Sequence, residues 1–342
     1  MLDNHLSRRR CAVAMLAAAG TLGFSALLPS DGAIAQEPIT LRISTPAVPG
    51  DWHAEMLTVF KDELEKTAPG EFDVQIHLNA TLFKQGTEPA AMQRGNLEMA
   101  LISAQDIAKQ IPENSIFTAG YLIRDPDHQW KVFEESDVGQ EFQDSVLDNM
   151  GIKILSTGYL GTRQLNLREA RDVQSPADLE GVKLRMPGSD TWQFLGKALG
   201  ANPTPMAFNE VYMGLQTGAV DGQDNPLPTN QKAKFYEVTE QIVLTGHLVD
   251  QIFFSIAGST WDELTDEQKE KVEAAAEAAA LWNNEKRLED EAKLIEFFKE
   301  QGLTITEPDV AAFRDAVQKA YLESEFSQNW PEGLLDRINA VQ

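Results

Sequence analysis

The chain of 342 residues carries 53 Asp and Glu against 29 Lys and Arg, a formal charge of -24. Apolar residues at 42% and charged residues at 24% are ordinary globular usage, which excludes wholesale disorder. Acidity of this strength without a basic stripe excludes nucleic acid and anionic membrane surfaces as partners. One hydrophobic core rarely extends past roughly 250 to 300 residues, so two lobes are expected. At the start, Arg8, Arg9 and Arg10 precede an apolar run from Cys11 to Leu28, and Ala33-Ile34-Ala35 has the small-x-small pattern that a signal peptidase reads. Residues 1–35 therefore read as an export signal with Gln36 as the mature start, an uncleaved membrane anchor being the competing reading. Ser7-Arg8-Arg9 hints at twin-arginine export, against which Cys11 and Ala12 stand where larger apolar residues are preferred. Cys11 is the only cysteine. The exported chain has no thiol and no disulfide framework, and its stability rests on its core. No later apolar run is long enough to span a bilayer, so the mature protein is expected to be soluble.

Ile39, Leu41 and Ile43 alternate with polar residues as a half-buried strand does, and Pro46, Pro49 and Gly50 form a turn. Asp51 caps a helix whose Trp52, Met56, Val59, Phe60 and Leu64 share one face until Pro69-Gly70 ends it. Phe72 to Leu78 reads as a strand, Thr87 as the cap of a helix with Glu88 and Pro89 in its first turn, and Met99 to Ile102 as a strand. The second half repeats the pattern: strands around Ile152–Leu155 and Val182–Met186, a helix capped by Ser189 that ends at Gly200, and one capped by Asn209 that ends at Gly218. Met92-Gln93-Arg94-Gly95-Asn96-Leu97-Glu98 is echoed in type by Leu215-Gln216-Thr217-Gly218-Ala219-Val220-Asp221. Strands alternating with helices predict an α/β fold with a largely parallel sheet. Thr265-Asp266-Glu267-Gln268 is a capping box, and no Gly or Pro interrupts the chain from there to Glu300. One helix of about 35 residues, about 50 Å long at 1.5 Å per residue, is predicted to run across both lobes, because sustained heptads are missing.

Catalytic signatures are missing: there is no GxSxG, HExxH, GxxxxGK[ST] or GxGxxG after a strand. His53, His77, His128 and His247 are not at helical metal-ligand spacing; His77 falls in a strand pattern and His128 in a polar loop, where solvated or core roles are expected. The informative segment begins at Gly161-Thr162-Arg163-Gln164-Leu165 and continues through Asp178-Leu179-Glu180-Gly181-Val182-Lys183-Leu184-Arg185-Met186-Pro187. With Val182, Leu184 and Met186 facing the core, Arg185 points to the other face at a strand end beside a helix cap, where open α/β sheets hold ligands. A lone Arg is usually a solvated charge. Its neighbours Trp192, Asn202-Pro203-Thr204-Pro205-Met206-Ala207-Phe208-Asn209-Glu210-Val211-Tyr212 and Gly218-Ala219-Val220-Asp221-Gly222-Gln223-Asp224-Asn225-Pro226 change that balance.

These ordered motifs, with Lys234-Phe235-Tyr236-Glu237-Val238 after them, resemble the extracytoplasmic solute-binding receptors of TRAP transporters. The resemblance implies a periplasmic-binding-protein fold: two α/β lobes joined by a hinge, formed by residues 36–160 with about 251–290 and 161–250 with about 291–342. It also implies a receptor, not an enzyme, that closes on an organic acid in the periplasm without a cofactor; no metal ligands are singled out, and whether a cation sits with the ligand stays open. Delivery to the small and large membrane subunits of a cation-coupled importer follows from the same likeness. Arg185 would form a bidentate salt bridge to the substrate carboxylate, a geometry that suits guanidinium better than ammonium. Arg163 would be a second basic contact, Asn225 a hydrogen-bonding partner and Phe208 an apolar wall. Many relatives carry a Leu-Gly-x-Glu/Asp-Arg loop where this chain has Leu82-Phe83-Lys84-Gln85-Gly86-Thr87-Glu88, which leaves the identity of the acid open. Trp52, Trp192 and Phe208 together would suit a sugar acid, an aromatic acid or a small keto or hydroxy acid. His53, Gln85, Glu88 and Asn209 complete the candidate set. A receptor for an ATP-driven importer, a chemoreceptor or a secreted hydrolase are the alternatives.

Overall fold

The computed structural model describes residues 37–342, so the expected export signal and mature start lie outside the described residues. The first lobe opens with β1 (Ile39–Ser44), whose Leu41 and Ile43 are fully buried, as the alternation predicts. The Asp51 carboxylate accepts the His53 amide and starts α1 (Trp52–Thr67), which buries Met56, Leu57, Phe60 and Leu64. β2 (Phe72–His77), α2 (Glu88–Gln93), β3 (Met99–Ile102), α3 (Ala104–Ala108), α4 (Pro126–Trp130) and α5 (Asp137–Met150) follow. Thr87 precedes α2 without capping it, because its hydroxyl donates instead to the Lys84 carbonyl. His128, expected in a polar loop, is buried in α4, where its Nδ1 accepts the Arg124 amide and its Nε2 lies 3.0 Å from the Ile338 carbonyl.

β4 (Ile152–Leu167) then crosses into the second lobe, which contains β5 (Lys183–Met186), α6 (Asp190–Ala198), β6 (Asn202–Pro205), α7 (Val211–Thr217), β7 (Gly222–Pro226) and α8 (Leu227–Lys232). Ser189 caps α6 as expected. Asn209 does not cap α7: it sits in the 3-10 turn Phe208–Glu210 and Glu210 holds the cap position. β8 (Gln241–Ala257) runs back across both lobes. After it come α9 (Gly258–Glu263), α10 (Asp266–Glu300), β9 (Thr304–Thr306), α11 (Val310–Leu322) and α12 (Leu334–Ala340).

The strands form one sheet in the order β2-β1-β3-β8-β4-β7-β5-β6, with β9 on β8. It is mixed, not largely parallel. β1 is parallel to β2 and β3, and β5 to β6 and β7, but β8 is antiparallel to β3 and β4, and β4 to β7. Two parallel sets are thus joined by one long antiparallel pair. That pair shifts register at Ile154/Ser156, Tyr159/Gly161 and Arg163/Leu165, and the bulges bend it between the lobes. Gly161 takes φ +125° there, and a Cβ at this position would lie 2.4 Å from Pro226 Cβ.

The helix expected from the Thr265 capping box is α10, 35 residues long, with both reciprocal hydrogen bonds of the box in place. Val272, Ala275, Ala276, Ala279 and Ala280 pack on Phe60, Leu64 and Phe254 of the first lobe. Further along, Leu294 and Phe298 pack on Leu227, Ile242 and Leu303 of the second. The small residues of the first stretch face α1, and the larger ones of the second face α8 and β9. The helix therefore crosses both lobes. α11 packs on α6 and β8, and α12 on α5. Among the described residues no helix is long and apolar enough to cross a membrane.

Candidate functional site

A cleft with about 710 Å³ of atom-free space, part of it open to solvent, lies where strand ends of the two lobes meet. The first lobe contributes Thr45 after β1, Asp51 and His53 at the start of α1, Gln85 and Glu88 before and within α2, and Ser103 and Asp106 at the start of α3. Arg163, Pro187, Trp192, Phe208, Asn225 and Thr229 line it from the second lobe, and Leu160, Asp250, Gln251 and Ile252 from the crossing strands. Seven of the ten residues singled out in the sequence therefore meet here: His53, Gln85, Glu88, Arg163, Trp192, Phe208 and Asn225.

Arg185 stands immediately behind this lining and is 1% exposed. β5 aims it away from the core side chains of Leu184 and Met186, toward Phe208, whose ring centre is 5.8 Å from the guanidinium carbon. Its Nε donates to the Met206 carbonyl at 2.9 Å and its Nη2 to Gln85 Oε1 at 3.2 Å. The Phe208 amide donates to the same Gln85 oxygen at 2.9 Å. No carboxylate of the described residues forms an ion pair with Arg185. Burial, reinforced by the like charge of Arg163 and offset in part by Asp224 and Glu210, pushes its pKa down to about 9, so it remains charged at neutral pH.

Arg163 differs. Its Nε donates to Asp250 Oδ2 at 2.6 Å and its Nη1 to the Asp224 carbonyl at 2.7 Å and carboxylate at 3.3 Å, and the guanidinium lies 4.3 Å from the Trp192 ring centre. Burial opposes its charge, but Asp250 and Asp224 outweigh that and raise its pKa. Nη1 also donates to Asn225 Oδ1 at 3.3 Å, and Asn225 Nδ2 to Gln223 Oε1 at 2.6 Å. His247 Nε2 lies 3.2 Å from Asp224 Oδ2 and extends the network into the core.

Two candidates lie elsewhere. Trp52 faces α10, where its Nε1 donates to Asp290 Oδ2 at 2.6 Å and its ring meets Trp282 edge-on, so it braces the lobe junction and does not line the cleft. Asn209 is exposed on the 3-10 turn and does not line it either. Conversely, Ser103, Asp106, Thr229 and Asp250 line the cleft without having been singled out. A signal existed for the first two. Ser103-Ala104-Gln105-Asp106 follows strand β3 as Ser189 follows β5, and the strand-end rule that picked out Arg185 applies equally there. For Asp250, inside the almost wholly buried strand β8, local sequence carries no comparable cue.

The sequence and fold have clear relatives. Residues 44–328 match the model of the bacterial extracellular solute-binding proteins, family 7. The chain belongs to that family. The sialic acid-binding periplasmic protein SiaP of Vibrio cholerae is 34% identical over 88% of this chain and 92% of its own. A TRAP periplasmic solute-binding protein of Roseobacter denitrificans, solved with bound 3-deoxy-D-manno-oct-2-ulosonic acid, is 51% identical and superposes with a TM-score of 0.86 over 89% of this chain and 100% of its own. A second TRAP protein from that organism, with bound L-galactonate, is 28% identical with a TM-score of 0.81 over 89% and 99%. Family 7 proteins are receptors for small carboxylates, not enzymes, and work in the periplasm. The two-lobed fold with its long crossing helix is theirs.

Proposed function

We propose that this family 7 protein is the receptor of a TRAP importer and that it grips the carboxylate of a small organic acid through Arg185. The carrying observation is the convergence of Arg185 Nη2 and the Phe208 amide on one oxygen, Gln85 Oε1, beside a buried guanidinium that has no acidic partner among the described residues. The Gln85 oxygen holds the place that one oxygen of a ligand carboxylate would take. On displacing it, the ligand gives Arg185 the counter-charge that burial makes valuable. Arg163, saturated by two aspartates on its Nε and Nη1, offers Nη2, which donates to no described residue. Asn225, Phe208 and Trp192 supply the polar and apolar walls.

Binding between the lobes stabilises their closed arrangement, with bending at the bulged β4/β8 pair. The lobes are residues 36–160 with about 251–290 and 161–250 with about 291–342. Residues 1–35 direct export and are removed, and the closed receptor delivers its acid to the small and large membrane subunits, where a cation gradient drives import. The relatives support this reading: each of those solved with a ligand holds an acid.

Calorimetry with 3-deoxy-D-manno-oct-2-ulosonic acid on the mature protein and on Arg185→Lys tests it. Loss of the bidentate partner should weaken binding by ~2 to 5 kcal/mol, roughly 30-fold to several thousand-fold. A loss below threefold rejects Arg185 as the carboxylate anchor.

A further inference from the structure

Facing Arg185 from the other lobe, the cleft wall presents polar groups that no described residue satisfies. Glu88 is 3% exposed, lines the cleft, and its Oε1 has no hydrogen-bond partner among the described residues. His53 is 5% exposed, lines the same cleft, and its Nε2 is likewise unpartnered. A buried polar atom without a partner is costly, and two on one wall of a ligand cleft are groups to be satisfied by the guest.

Neither group is suited to hold a charge. Burial, with the nearby Asp106, pushes the Glu88 carboxyl up to about 8 against the opposing pull of the backbone amides around it. Burial first, then Arg287 and Arg163, holds the His53 imidazole well below its ordinary value. A neutral carboxyl and a neutral imidazole each offer a donor and an acceptor, which is what an alcohol hydroxyl requires. The full charges on this wall are already matched. Asp106 pairs with Lys109 at 2.9 Å and accepts Ser103 Oγ at 2.8 Å, and Asp51 pairs with Arg287. Among the described residues Arg185 is the guanidinium lining or backing the cleft that lacks an acid, and it calls for one negative charge on the ligand.

Resting on the receptor reading of the same cleft, we propose that Glu88 and His53 read hydroxyl groups on the ligand's tail, so that the protein selects a polyhydroxylated monocarboxylate over a dicarboxylate. A second carboxylate placed there would find no free cation among the described residues and would lie against Glu88 and Asp106. A chain of hydroxyls would satisfy both orphaned atoms at once.

The test is calorimetry with 3-deoxy-D-manno-oct-2-ulosonate, galactonate, glucuronate and succinate on the wild type, Glu88→Gln, Glu88→Leu and His53→Phe, each first checked for a cooperative thermal transition. The wild type should prefer at least one hydroxylated acid to succinate by about 100-fold or more. Glu88→Leu and His53→Phe should each lose at least about tenfold of that preference, whereas Glu88→Gln, which keeps a donor and an acceptor, should stay within about threefold of wild type. Should Glu88→Leu fail to fold, His53→Phe and Glu88→Gln decide the matter by the same criteria. Succinate bound as tightly as the hydroxylated acids, or a preference untouched by Glu88→Leu and His53→Phe, overturns the inference and leaves the receptor reading standing. No binding of any of the four acids by the wild type overturns both.

Discussion

A carboxyl held neutral by burial leaves a thermodynamic trace without any ligand. Glu88 has an ordinary value near 4.5 in the unfolded chain and about 8 in the native one. Below 4.5 both states hold the proton and Glu88 contributes nothing. Between 4.5 and 8 the native state holds it and the unfolded state does not, so stability falls as pH rises, at up to about 1.4 kcal/mol per pH unit from this group. Above 8 the full penalty of a buried carboxylate is present. Glu88→Gln removes the penalty, so its melting temperature should exceed that of wild type at pH 8.5 and match it near pH 4.5. A difference that is the same at both ends would show that Glu88 is an ordinary solvated acid in the apo protein. Residues of this kind were partly legible in the sequence. Arg185, Phe208 and Asn225 stood out because their motifs are local. Arg163's entanglement with Asp224 and Asp250 was not, since those partners lie 61 and 87 residues away and only the sheet brings them together.

Elements whose signals are local were read well, and those defined by long-range pairing were not. The reciprocal bonds of Thr265 and Gln268 and an unbroken run of good helix formers fixed α10 to its ends. β4 and β8 gave less. Nearly every residue of β8 is buried, so no alternation marks it, and its antiparallel pairing with β4 depends on contacts about 90 residues apart. What α10 does midway along its length was also invisible. Arg287, fully buried there, donates to the Leu160 carbonyl at 2.7 Å, to Thr229 Oγ1 at 3.3 Å and to Asp51, the cap of α1. One guanidinium thus ties the crossing helix to the first lobe, to the bulged strand and to the second lobe. Arg287→Met leaves the Asp51 charge buried and unpaired, and should cost about 3 to 5 kcal/mol in urea unfolding. Adding Asp51→Asn should recover part of that loss, the signature of a direct pair in a double-mutant cycle. A single variant within about 1 kcal/mol of wild type would mean that the tie is ornamental.

At the scale of the whole molecule, charge and site oppose each other. A chain of net charge -24 must admit an anion, and under the function proposed above the attraction that holds it comes from Arg185, a guanidinium walled off from solvent. The two act over different distances. Repulsion from the acidic surface reaches out by the Debye length, about 30 Å at 0.01 M salt and about 8 Å at 0.15 M, whereas contact with Arg185 in a closed cleft is screened far less. Added salt therefore removes the barrier to approach more than it weakens the grip. The association rate of a monoanionic sugar acid, followed by stopped-flow tryptophan fluorescence, should rise several-fold between 0.01 and 0.15 M, while the dissociation rate changes little. This is the reverse of the usual behaviour of oppositely charged partners, whose association slows with salt. A rate that falls with salt would show that the mouth of the cleft is locally positive enough to steer anions inward despite the acidic exterior, and the net charge would then have no part in how the receptor meets its solute.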